Sequence, residues 1–494
     1  MLKPYAQSLA LLTDLYQLTM AYGYWRESLA DREAVFHHYF RRAPFGGAFA
    51  VAAGLETALQ WLGDLRFRED DLEYLASLSG QRGRALFDKA FLDYLARFSF
   101  ACDVEAVAEG TVVFAQEPLV RVRGPLLHCQ LAETALLNIV NFQTLIATKA
   151  ARVCLAAGDS PVLEFGLRRA QGIDGGISAS RAAFIGGCAA TSNVLAGKIF
   201  GIPVRGTHAH SWVLAFDREP DAFAAYARTM PHNCVLLVDT YDTIEGVRNA
   251  VEVGTRLRSL GFRLAGIRID SGDLAELSIE ARKLLDAAGL ESTQVVASND
   301  LDEYAIRDLR KRRARVGIWG VGTSIAAAKG DSALGGVYKL SLLKDESGAW
   351  QGKAKRSEDP AKASTPGMLQ VRRYSTGTGT FSDLIYDELH EPAGQWTGSS
   401  ADGAVTESEM RGAYEELLKS VLRAGQRVTR PESLVGIQSR CKEQLSSLPG
   451  NSSRAKPRGT VRVLVENGLL ARRVKLVGRL GGELADRSAS TGCG

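Results

Sequence analysis

The chain has 494 residues, of which 46% are hydrophobic and 23% charged, with a formal net charge of +4. That is ordinary globular composition, with length for two or three domains and a large core. The weak positive balance comes from mixed charges and no stretch reaches ~18 apolar residues, so neither a nucleic-acid partner nor a membrane span is expected. Seven cysteines, none in a Cys-x-x-Cys pair, point away from a disulfide framework or zinc cluster and towards reduced thiols. No basic start leads into an apolar run, so a cytoplasmic protein without a signal peptide is expected.

Three zones follow in chain order. In the first, 1–125, Leu11–Tyr24 has helical spacing and Val35–Phe40 reads as a strand, with a Pro44-Phe-Gly-Gly47 turn behind it. Two short helices and a strand-rich stretch, 103–123, close this α+β zone at Gly124-Pro125. The second zone, 126–345, opens with a long helix over about 128–156. Apolar strands then alternate with helical patterns: Val162–Glu164, Pro203–Gly206, Cys234–Val238, Leu264–Ile269, Gln294–Ala297 and Gly317–Val321. Most strand ends lie about 30 residues apart, the rhythm of an α/β barrel, and the apolar runs suit a parallel sheet covered on both faces. One helix is expected from Asp174-Gly-Gly176 to Phe200, ended by Gly201 and Pro203. The third zone, 346–494, is more polar, with strand-like pieces near 369–374 and 460–465, a loop over Ser446–Pro457, and disorder expected at Ser488–Gly494.

Parallel barrels place their active sites at the C-terminal strand ends. Here those ends read Glu164-Phe-Gly-Leu-Arg-Arg169, Thr207-His-Ala-His210, Asp239-Thr-Tyr-Asp242, Arg268-Ile-Asp-Ser-Gly-Asp273, Ser298-Asn-Asp300 and Gly320-Val-Gly-Thr-Ser324. Helix capping accounts for Asp239, Asp242 and Ser298 as well as function does. Six polar ends on one rim exceed what capping needs. Arg168, Arg169 and Arg268 offer forked donors to carboxylate or phosphate. Asp270 and Asp273 can hold Mg²⁺ through water or grip ribose hydroxyls. The glycines of Gly320-Val-Gly322 and Gly335-Gly336 let backbone N–H groups approach phosphate, and the Asp174-Gly-Gly176 helix start is either an anion site or a well-capped helix. His208 and His210 directly follow a buried strand, and either can be a base, a metal ligand or a phosphate carrier.

These segments, in this order, resemble nicotinate phosphoribosyltransferase of the type II phosphoribosyltransferase superfamily. The matching runs are Leu12-Thr-Asp-Leu-Tyr-Gln-Leu-Thr-Met20, Glu164–Gln171, Ser192-Asn-Val-Leu-Ala-Gly197, Gly206-Thr-His-Ala-His210, Asp239–Asp242, Arg268–Asp273, Gly320–Ser324 and Leu334-Gly-Gly-Val-Tyr-Lys339. They span about residues 10–345; the remaining tail matches loosely. The resemblance implies an irregular TIM-like α/β barrel with a second α+β, β-sandwich-like domain built from the N- and C-terminal segments, the last zone packing with the first. It implies synthesis of nicotinate mononucleotide from nicotinate and 5-phosphoribosyl 1-pyrophosphate, the first step of NAD synthesis from nicotinic acid. ATP is coupled through a phosphohistidine, which maps onto His210. Mg²⁺ arrives with substrate, without a protein site of its own beyond help from Asp270 and Asp273. Phe165 and, across a homodimer interface, Tyr16 would face the pyridine ring. Thr207 and Arg268 map onto nicotinate contacts, Arg168 onto substrate phosphate or carboxylate, and Thr323 onto the phosphoribosyl substrate.

The related nicotinamide-using enzyme carries an aspartate that accepts from the amide, where this chain has Asn193. A neutral side chain does not repel a carboxylate, which favours nicotinate. Nicotinamide and quinolinate phosphoribosyltransferases, and a non-catalytic nucleotide-binding barrel, are the alternatives. Intact Arg268, Asp270, Asp273 and His210 count against the last.

Overall fold

The computed structural model describes residues 9–355, 364–375, 381–392, 394–400, 407–448 and 462–490, with side chains of the final helix described as far as 478. Six short strands form a parallel sheet in the order Ala190–Thr191, Val162–Glu164, Ile318–Val321, Gln294–Ala297, Gly266–Ile269, Val235–Leu237. Helices Thr243–Ser259, Leu274–Ala287 and Glu303–Lys311 return the chain between the later strands. The strands are buried runs such as Val295, Val296 and Ala297, because helices shield their faces. Among the described residues this sheet does not close. Val204 makes a single parallel bridge to Thr191, and no ladder joins that segment to Val235–Leu237.

An antiparallel seven-stranded sheet draws on both ends of the chain, in the order Trp350–Gly352, Gly336–Lys344, Glu33–Phe40, Val120–Pro125, Asp103–Val107, Leu418–Arg423, Gln426–Arg427. Gly336–Lys344, at the end of the middle zone, thus pairs with the first strand. The third zone is far more regular than its polarity suggests. It supplies a six-stranded sheet, Ser408–Glu409, Thr397–Ser399, Arg462–Glu466, Phe381–Asp387, Leu369–Ser375 and Tyr414–Glu416, and helices Leu434–Ser446 and Asn467–Ser490. The two large sheets are stitched at Leu369, whose N–H donates to His37 Nε2 (3.2 Å) and whose carbonyl accepts from Arg121 (3.1 Å). Residues 449–461 and 491–494, over which a loop and disorder were expected, lie outside the described residues; Ser446 ends one helix and Ser488–Ser490 the last.

Three local readings change. The helix expected over Asp174–Phe200 is two, Ile173–Ile185 and Val194–Phe200. They are parted by Gly186, where a Cβ would strike the Ala147 carbonyl, and by Gly187 at φ +113°. The released chain forms Ala190–Thr191, which takes the place in the sheet expected of Pro203–Gly206. Three short helices, not two, precede the strand-rich stretch 103–123: Leu55–Asp64, Glu69–Ser77 and Lys89–Ala96. The long helix is Glu133–Ala157, abutting Leu126–Leu131 at Ala132. It is buried along most of its length and carries Lys149 and Arg152 onto Glu303 (2.7 and 2.9 Å), a fully buried carboxylate.

Candidate active site

The ends of the parallel strands enclose a polar cavity of about 240 Å³. It is lined by Phe165, Arg168, Arg169, Arg268, Asp270, Ser298, Asp300, Gly320 and Thr323, among others. Arg268 organises it. Strand Gly266–Ile269 delivers its side chain to the rim. There its Nε donates to Ser298 Oγ (2.7 Å), one terminal nitrogen to Thr207 Oγ1 (3.1 Å) and the other to Asp270 Oδ1 (2.8 Å). Three acceptors, two at strand ends and Thr207 in the segment after Val204, fix a planar fork, which an ammonium could not match. The guanidinium carbon also lies 5.8 Å from the Phe165 ring centre.

Asp270 is held in turn. Ser298 donates to its Oδ1, and its backbone N–H donates to Asp239 Oδ2 (2.9 Å), which also accepts from Ser271 Oγ (2.6 Å). Burial works against ionising Asp270. Hydrogen bonds from Ser298 and Arg268, with the nearby charges of Arg268 and His210, outweigh burial and keep its carboxyl below the usual range. Oδ2 has no partner among the described residues.

The two histidines of the Thr207–His210 segment differ. His210 opens the short helix His210–Leu214, half-buried, with Nδ1 3.2 Å from Thr240 Oγ1. Its Nε2 has no partner among the described residues. His208 is buried, with Nε2 accepting from the Leu237 N–H (3.1 Å) and Nδ1 3.2 Å from the Ala209 carbonyl. Among the described residues no group of three His, Cys, Asp or Glu is placed to hold a metal ion.

Glu164 anchors the first strand end. Its buried carboxylate accepts from the Gly166 N–H, Ser180 Oγ (3.1 Å) and Thr191 Oγ1 (2.6 Å). This fixes the turn that presents Phe165 and Arg168. Arg168 and Arg169 are exposed on the rim and have no side-chain partner among the described residues. Thr323 is exposed at the start of Thr323–Ala326, just after Gly322. Gly335-Gly336 is not in the cavity wall; Gly336 starts a strand, and a Cβ there would meet Asn141.

Five expected site residues are not in the cavity wall: Thr207 reaches it through Arg268, His210 lies near Asp270, and three stand apart. Tyr16 is 48% exposed, with its hydroxyl 3.5 Å from Glu133. Asp273 caps the helix Leu274–Ala287 through the N–H groups of Ala275 and Glu276, and Arg312 grips both its oxygens (2.8 and 2.6 Å). Asn193 is buried and caps Val194–Phe200: Oδ1 accepts from Ala196 N–H (3.2 Å), while Nδ2 donates to the Gly176 carbonyl (3.3 Å) and Ser180 Oγ (3.2 Å).

Residues 11–141 match the model for the nicotinate phosphoribosyltransferase (NAPRTase) N-terminal domain. The chain is 47% identical to nicotinate phosphoribosyltransferase of Bacillus subtilis over 78% of its own length and 77% of that protein's. It is 36% identical to the Homo sapiens protein of the same name, covering 93% and 95%. The crystal structure of human nicotinic acid phosphoribosyltransferase superposes with a TM-score of 0.81, at 34% identity, over 94% of this chain and 99% of that one. The chain belongs to the nicotinate phosphoribosyltransferase family.

For this family member, some of what builds the site carries no local signal. Thr240, the partner of His210, and Asn299, held at φ +99° in the cavity wall, fall inside polar strand-end runs, but nothing in those runs marks either as an individual site residue. Such backbone is costly for a residue with a Cβ and clusters at functional sites. Glu164 reads as one more polar strand end, and the Ser180 and Thr191 hydroxyls that show it to be a hub lie 16 and 27 residues away.

Proposed function

We propose that this enzyme joins nicotinate to 5-phosphoribosyl 1-pyrophosphate, releasing nicotinate mononucleotide and pyrophosphate, in the cytoplasm and as a homodimer. The observation that carries this reading is Arg268: a guanidinium immobilised by Thr207, Ser298 and Asp270 beside the Phe165 ring. Phe165 offers a face to the pyridine ring, and Arg268 with Thr207 receives its carboxylate. The pyridine nitrogen attacks the anomeric carbon as its bond to pyrophosphate breaks, so no protein nucleophile enters the sugar step. Positive charge gathers on the ribose, near the ionised Asp270, and negative charge on the leaving group. The unpaired Arg168 and Arg169, with Thr323, serve the phosphates. Mg²⁺ favours oxygen donors and keeps several waters. The free Oδ2 of Asp270, with Asp300, suits an ion carried by the diphosphate, whose chemistry is to neutralise the leaving group. Asp273, gripped by Arg312, holds the loop that follows Asp270.

ATP couples through His210. With Nδ1 directed at Thr240, Nε2 is the nitrogen open to take a phosphoryl group, displacing ADP, and water later releases phosphate. We hypothesise that this cycle tightens and loosens the loops around His210. The dimer is supported by exposed apolar side chains on two separate helices. Leu15, Tyr16 and Met20 lie on the N-terminal helix, and Val194, Leu195 and Ile199 follow Asn193. Tyr16, exposed and outside its own chain's cavity wall, is available to a second copy. The strand order supports a barrel wall, with the gap between Val204 and Val235 as its irregular seam.

The test is incubation of the protein with phosphoribosyl pyrophosphate and Mg²⁺ plus labelled nicotinate, nicotinamide or quinolinate, with and without ATP. Mononucleotide from nicotinate, stimulated by ATP, is expected. Product from another ring reassigns the substrate, and none from any ring leaves a non-catalytic barrel.

A further inference from the structure

His208 lies two residues from the proposed phosphate carrier, in the segment that crosses the open seam of the parallel sheet. That segment makes one bridge, Val204 to Thr191, and then leaves the sheet. Among the described residues the edge strand Val235–Leu237 therefore has no neighbouring strand on that side. A buried N–H with no acceptor is costly. Leu237 finds its acceptor in a side chain, the His208 Nε2 at 3.1 Å.

This contact fixes the state of the ring. A backbone N–H can only donate, so Nε2 must accept and the neutral ring carries its proton on Nδ1. That proton points at the Ala209 carbonyl, 3.2 Å away. Both nitrogens are committed, and the two bonds need the same tautomer. Helix Glu219–Thr229 packs the ring from the other side, with Tyr226 edge-on at 4.7 Å and Phe223 at 6.3 Å. On one side of His208, Thr207 meets Arg268; on the other, His210 meets Thr240, just beyond the strand that His208 anchors.

We infer that His208 is a positioning residue, whose ring stands in for a missing strand at the Val235–Leu237 edge and so holds Thr207 and His210 in register with Arg268 and Thr240. It takes no phosphoryl group, because its only lone pair on a ring nitrogen is spent on Leu237. The assignment rests on the proposed reaction for its kinetic consequences but not for its structural one, and the two are measured separately.

The experiment compares wild-type enzyme with His208→Ala, His208→Gln and His210→Ala. Glutamine reaches about as far as Nε2 and ends in an acceptor. Amide hydrogen exchange at Leu237 should accelerate about tenfold or more in His208→Ala and stay near wild type in His208→Gln. For nicotinate, kcat/KM should fall roughly 30-fold in His208→Ala, with KM rising and kcat falling, and recover to within about fivefold in His208→Gln. Labelling with γ-labelled ATP should persist in His208→Gln and vanish in His210→Ala. Label mapped to His208, unchanged Leu237 exchange in His208→Ala, or a glutamine variant as impaired as the alanine one would each overturn the assignment. If wild type makes no mononucleotide, the reaction is wrong, and the exchange data still decide the anchor. Should His208→Ala not fold, His208→Gln against His208→Leu, of similar bulk but without an acceptor, makes the same comparison.

Discussion

Gly320 lies in the strand Ile318–Val321, opposite Leu163, on the floor of the cavity. A Cβ there would stand 2.9 Å from both Cδ2 and Cε2 of Phe165 and 3.3 Å from Ser298 Cβ. Carbon atoms settle at about 3.5–4.0 Å, so in Gly320→Ala the Phe165 ring must withdraw by roughly 0.6–1 Å. The backbone at this position suits alanine, so the collision acts on the ring rather than on strand formation. A misplacement of about 1 Å can cost 100-fold, so kcat/KM for nicotinate should fall about 30- to 100-fold, equivalent to about 2–3 kcal/mol of transition-state binding. The effect should fall on nicotinate far more than on phosphoribosyl pyrophosphate, as read from initial rates with each substrate varied in turn. Phe165→Leu removes the ring atoms that collide, so the two substitutions should combine to much less than the sum of their costs. A Gly320→Ala enzyme within threefold of wild type, or strictly additive variants, would refute the placement of the pyridine ring against Phe165.

Asn193→Asp keeps the Ala196 cap but turns a carboxylate towards the Gly176 carbonyl and loses two donors. It should lower the preference for nicotinate over nicotinamide and cost about 1–3 kcal/mol of stability. An unchanged substrate ratio removes Asn193 from specificity and leaves it a helix cap. Lys149→Met strands part of the charge of Glu303, with Arg152 as the remaining cation, so denaturant unfolding should show a loss of about 3 kcal/mol. A loss below about 1 kcal/mol would mean that Arg152 suffices. Burial pushes the fully buried His38 down to about 4 from 6.5, despite its hydrogen bond to Asn141. As pH falls below 6.5 the unfolded chain binds this proton and the native state does not, so stability drops until about pH 4 and then levels. The His38 share is about 3 kcal/mol. His38→Gln, which can still donate to Asn141, should flatten that part of the stability-versus-pH curve, and an unchanged slope would place the acid sensitivity elsewhere.

The sequence determined the alternation of apolar strands and helices from Val162 to Val321, and it marked the polar residues at the strand ends. Both are local properties: burial writes a run of Val, Ile and Leu, and the residue after a strand is visible wherever the run stops. Arg168, Arg268 and Asp270 were legible on that basis, Phe165 and Thr323 through the family resemblance, and the structure gathers all five around one cavity. The tertiary structure decided what those residues bind. Gly186 and Gly187 break what reads as one helix because the chain must pass close over Ala147. The strand released there, Ala190–Thr191, is too short to leave a periodic signal. Asn193 and Asp273 prove to be helix caps, since their partners are backbone N–H groups that exist only once the helices form. The same holds for the two histidines. In the sequence His208 and His210 are equivalent, two positions apart after one buried strand. Folding separates them: Leu237, about 30 residues further on, and the adjacent Ala209 carbonyl occupy both nitrogens of His208, whereas Thr240 meets only Nδ1 of His210 and leaves its Nε2 open.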